Sequence, residues 1–144
     1  MNRPKISQME AYMIETLRTN NVTNEEMIQD VKEKDVSKWQ KLNEKFDFEQ
    51  LIVLAEKGFS SFEQAINEGY TVKFVTVNGL DRLLRLKFGK EPEKDYQRLQ
   101  TGVLGLNIDT SSLEELKHML SLNWKVEEDK SGVSVLLKGQ GDFD

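Results

Sequence analysis

Residues 69–90, GYTVKFVTVNGLDRLLRLKFGK, change period half-way along. TVKFVTV is rich in β-branched residues and carries no helix start, so residues 71–77 are expected as a strand. Asn78-Gly79 is expected to end it. From Leu80 the spacing turns helical: Leu80, Leu83, Leu84 and Phe88 fall on one side, Arg82 and Arg85 on the other. Asp81 precedes Arg85 by four residues, the favourable order for an ion pair within a helix. Lys87 falls toward the apolar side but has a stem long enough to carry its charge to water. Gly89 supplies a left-handed stop.

Everything before this stretch reads as helical. Ile6, Met9, Met13 and Leu17 recur at spacings of three and four. Helix-start pairs follow at Thr23/Glu26, Ser37/Gln40, Asp47/Gln50, Ser60/Glu63 and, later, Ser111/Glu114. Gly58 and Gly69 each follow a helical run. After the stretch, KEPEKD (residues 90–95) is charged, contains a proline and is the expected linker. TGVLGLNI reads as a strand, residues 113–122 as a helix, and WKVEE with VSVLL as a hairpin around DKSG. The expected fold is α+β, with a helical N-terminal half followed by a small mixed strand and helix part ending in a β-hairpin. The expected divisions are a helical region 1–68, an α+β region 69–139 and a flexible acidic tail 140–144.

Composition narrows the function. Of the 144 residues, 38% are apolar and 31% charged, enough for a modest core and too apolar for a disordered chain. There is no cysteine, which removes disulfides, thiolate metal sites and cysteine nucleophiles. No apolar run follows MNRPKISQME, and the longest, LIVLA at residues 51–55, is far below the roughly 20 residues of a membrane span. The expectation is a soluble, cytoplasmic chain with no membrane contact. Net charge is −5, yet residues 71–100 hold seven basic against four acidic side chains. Only there could an anion be attracted.

The candidate contacts follow from this. Arg82, Arg85, Lys87 and Lys90 could together meet a few phosphates, although the bland reading is a core helix with a wet basic side. GFSSFEQAI has the order of a helix-turn-helix, but its second helix opens Ser61-Phe62-Glu63, and a glutamate there repels phosphate. The 113–122 helix with its hairpin has a winged-helix order but carries acidic residues on its exposed side. His118 is the only histidine, with Glu114 one turn before it, and reads as a surface pair rather than a base or metal ligand. Glu114-Glu115 and Glu127-Glu128 are adjacent in sequence and so point apart. Trp39 and Trp124 read first as core, with Trp39 also a contact candidate. Phe143 in the closing DFD is the other, since an aromatic among acids can dock in a basic apolar groove. No cofactor or metal is expected.

YTVKFVTVNGLDRLLRLKFGKEPEKDYQRL, with LEELKHMLSLNWKV after it, resembles a pattern in small uncharacterised proteins of Gram-positive bacteria and their phages. The pattern joins a strand, a "GL..LL.LKFG" helix, an acidic-Lys linker with "DY", and a later "ML..NW" helix end. It spans about residues 69–126, and its motifs are structural, so it carries no site residues across. The resemblance implies a mobile-element context. The functional expectation is a non-enzymatic protein-interaction module that binds and inhibits a host regulatory or defence protein. The alternative is a nucleic-acid-binding regulator using the basic helix around residues 82–90.

Overall fold

The computed structural model describes residues 3–138, so the expected tail and Phe143 lie outside the described residues. The fold is α+β: helices fill the N-terminal half, and strands with two helices follow, ending in an antiparallel hairpin. The chain divides into two units, Met1–Thr71 and Val72–Asp144. The division falls three residues beyond the expected boundary at 68/69, and KEPEKD lies inside the second unit rather than between the two.

The first unit opens with β1 (Lys5–Ile6) and α1 (Gln8–Thr19). Ser7 caps α1 in a reciprocal box: Glu10 N donates to Ser7 Oγ (3.1 Å) and Ser7 N to Glu10 Oε1 (2.7 Å). Seven consecutive α1 residues, Ala11–Leu17, are buried. Among them is Glu15, which accepts from Tyr70 Oη (2.5 Å) and Arg18 Nη1 (2.9 Å). Those bonds offset the cost of burying a carboxylate. Next come α2 (Asn24–Lys32), α3 (Ser37–Gln40), α4 (Glu49–Lys57) and α5 (Phe59–Asn67).

Of the expected helix starts, the Thr23/Glu26 box forms as read. The others do not. Ser37 Oγ donates to Asp35 instead (2.7 Å), α4 begins after Phe48, and α5 starts directly behind Gly58. Trp39 (2% exposed) packs edge-on to Phe48, with ring centres 6.0 Å apart, and Phe46 does the same at 5.8 Å. The unit closes where Thr71 N, in β2 (Thr71–Val72), donates to Pro4 O at 2.9 Å.

The second unit holds α6 (Val77–Phe88), β3 (Gln97–Leu99), β4 (Gly102–Leu106), α7 (Thr110–Met119), β5 (Trp124–Asp129) and β6 (Gly132–Leu137). The strand expected over 71–77 shrinks to Thr71–Val72. Thr76 is the reason: its hydroxyl accepts from Gly79 N (2.9 Å), which starts the helix at Val77 and draws Asn78-Gly79 into the first turn. The sheet runs β3-β4-β6-β5, antiparallel throughout. Leu80, Leu83, Leu84, Leu106, Leu113, Leu116, Met119, Val133 and Val135 are buried in its core. Gly102 has φ +143°, and a Cβ there would lie 2.0 Å from Val135 O, so β4 can approach β6 only without a side chain. α7 takes its cap from Asp109, not Ser111; the carboxylate accepts from Ser112 N at 3.1 Å.

Candidate functional site

The leucine face of α6 seals the interior, as its spacing demands. The basic face is less simple. Asp81 is 2% exposed and gathers three donors: Tyr96 Oη, Arg85 Nη2, and Arg98 Nη1 at 3.2 Å. Arg98 Nη2 also donates to Asn78 Oδ1. The anion on which the arginines converge is therefore the chain's own carboxylate. Burial first, then the Asp81 hydrogen bond and charge, push the Tyr96 phenol well above its ordinary range. The loop that delivers Tyr96 is fixed by Lys90 N to Leu84 O (3.0 Å), Asp95 N to Glu91 O (2.8 Å) and Asn107 N to Asp95 O (2.8 Å).

The four candidate cations do not share an outward face. Arg82 is exposed, and Arg85 is bent onto Asp81. Lys87 has only 12% of its side chain exposed and reaches Glu115 on α7 at 3.8 Å. Lys90 is half-buried. An open cleft of about 550 Å³ lies between the start of α6 and β3, but its guanidinium, from Arg98, is the one held by Asp81 and Asn78. Trp39 is a core residue of the first unit, as its first reading had it, and its buried ring corrects the second reading as a contact candidate. His118 is exposed on α7. Among the described residues no cluster of acidic or histidine side chains could hold a metal, and no helix is long and apolar enough to cross a membrane.

A second feature escaped the sequence. Among the described residues, Leu122 (89%) and Phe74 (60%) are the most exposed large apolar side chains. Their neighbours are bonded to one another. Val75 N donates to Ser121 Oγ (2.9 Å), and Val75 O accepts from Trp124 Nε1 (2.9 Å) and Asn123 Nδ2 (3.2 Å). Ser121 Oγ in turn donates to Asn123 Oδ1. Phe74 and Leu122 thus flank one hydrogen-bonded joint on backbone that is already fixed. Holding contact residues in place beforehand lowers the ordering cost of binding. Lys73 and Lys125, both exposed, are the nearest charged residues in sequence to this joint, and no acid falls within residues 72–76 or 119–126. The only signal in the sequence was that Phe74 stood in a run read as a strand, where one face is expected to be covered. The chain matches no family model, no curated protein and no solved structure.

Proposed function

We propose that the chain is a non-enzymatic protein-interaction module that docks through Phe74 and Leu122. The observation that carries this reading is the placement, on either side of the Val75 joint, of the two most exposed large apolar side chains among the described residues. Exposed apolar groups on fixed backbone suit an apolar recess on a partner, and the exposed Lys73 beside Phe74 suits an acidic rim around it. The resemblance to proteins of Gram-positive bacteria and their phages supports a host regulatory or defence protein as that partner, inhibited when bound. The nucleic-acid alternative has less to draw on, because Asp81 holds both Arg85 and Arg98 and cancels one of their two charges, and Glu115 pairs with Lys87.

The test is affinity purification from host lysate, with and without phage infection, using the wild-type chain and the Phe74→Ser/Leu122→Ser double variant. Wild type is expected to recover one stoichiometric protein, and the double variant to lose it while keeping its circular dichroism. Equal recovery by both refutes the surface, and recovery of nothing by wild type refutes the module. A gel shift at two salt concentrations addresses the alternative; a complex that weakens with salt and with Arg82→Ala would put nucleic acid first.

A further inference from the structure

β5 is the last strand in the order β3-β4-β6-β5, so among the described residues no strand pairs with its outer edge. The register fixes which backbone groups stand on that edge. Leu137 N donates to Thr101 O (2.8 Å), on the β4 side of β6, whereas Lys138 N donates to Asn123 O (3.0 Å), on the β5 side. Alternation then sends the backbone groups of Val133, Val135 and Leu137 toward β4 and those of Gly132, Ser134 and Leu136 toward β5. Across the ladder, Lys125, Glu127 and Asp129 bond inward to β6. Trp124, Val126 and Glu128 face outward, and of these Trp124 N is already taken by Ser121 O (3.4 Å).

From this geometry we infer that β5 pairs with β5 of a second copy of the chain, antiparallel, about a two-fold axis at Val126. In that register Val126 N–H meets Val126 C=O of the second copy in both directions, and Glu128 N–H meets the Trp124 C=O, so both edge groups of Val126 and the N–H of Glu128 find complements, while the Glu128 C=O faces a Trp124 N–H already given to Ser121 O. On the outer face Lys125 stands opposite Glu127 twice. These two side chains, 45% and 60% exposed, already attract one another along the strand at 3.0 Å. Shifting the axis to Lys125 sets lysine against lysine, and shifting it to Glu127 sets glutamate against glutamate. A one-residue shift places outward groups opposite inward ones. Charges on an edge strand ordinarily block pairing, but a Lys-x-Glu alternation is complementary to its own antiparallel copy. The occupant is therefore this chain itself.

The experiment is sedimentation equilibrium of the full chain over a concentration series at low and high salt. Wild type is expected to dimerise, more weakly at high salt. Lys125→Glu and Glu127→Lys each replace attraction by repulsion at both symmetric pairs and are expected to raise the dissociation constant at least about tenfold. The double variant Lys125→Glu/Glu127→Lys restores complementarity and is expected to restore the dimer. Val126→Pro removes an outward N–H that has no backbone partner among the described residues, so it is expected to abolish the dimer while far-UV circular dichroism persists. The inference is overturned by a wild type that stays monomeric to ~1 mM. It is equally overturned by a dimer indifferent to the single variants and to Val126→Pro, or by a double swap that folds and stays monomeric while wild type dimerises.

Discussion

Asp81→Ala should be costly alone and far less costly once Tyr96 is phenylalanine. Tyr96 is 4% exposed, and its hydroxyl donates to Asp81. Removing the carboxylate leaves that hydroxyl buried without an acceptor, worth about 1–3 kcal/mol. Arg85 and Arg98 have 53% and 38% of their side chains exposed, so each turns to water and forfeits only about 0–1 kcal/mol. Asp81→Ala is thus expected to cost about 1–5 kcal/mol. Tyr96→Phe loses one charge-assisted bond, about 1.5–3 kcal/mol. In the double variant no orphan hydroxyl remains, and the total should fall short of the sum by about 1–3 kcal/mol. Urea unfolding at neutral pH, followed by fluorescence of Trp39 and Trp124, one in each unit, measures all three against Arg82→Ala, whose change should stay within about 0.5 kcal/mol. Single effects that add to within about 0.5 kcal/mol would refute the reasoning, as would an Asp81→Ala no worse than Arg82→Ala.

The same phenol sets an alkaline limit. Its folded value is raised above the ordinary 10.0, so the stability it contributes is whole below about pH 10 and is lost as pH rises past that point. Urea midpoints should fall on that limb for wild type and fall less for Tyr96→Phe; parallel curves would contradict the Asp81 bond. The glycines offer a contrast. Gly102→Ala drives a methyl into Val135 O and should cost more than about 3 kcal/mol or prevent the second unit from folding. Gly89→Ala, with nothing within 4 Å and φ +66°, should cost only about 1–2 kcal/mol by thermal unfolding.

What the sequence disclosed was whatever a short window determines. The leucine spacing of α6 placed its sealed face, and the four-residue step from Asp81 to Arg85 placed their bond. The hairpin was legible because a turn separates two runs of strand formers. Long-range partners left no such trace. Nothing near Asp81 announces that Tyr96 and Arg98 arrive from fifteen and seventeen residues away to make it a buried centre. Competing local rules hid the rest. β-branched residues argued for a strand through Val77, yet Thr76 is also a helix cap, and the capping bond to Gly79 prevailed. Phe74 was concealed by that same run, because its exposure depends on Val75 being drawn to Ser121 and Trp124. Two of the helix-start pairs beyond Thr23/Glu26 failed because a neighbour competed: Asp35 takes the Ser37 hydroxyl, and Asp109 caps α7 before Ser111 can.

The strand order also governs how the protein can be made. β4 and β5 are never neighbours; both bond only through β6. While residues 132–137 are still inside the ribosomal tunnel, β5 has no ladder and β4 has only its short hairpin with β3. The first unit can close as soon as Thr71 reaches Pro4, but the second must wait for β6 to emerge and then insert between two strands synthesised before it. Until β6 emerges the sheet has no centre, and β4 and β5 each keep an edge with nothing beside it.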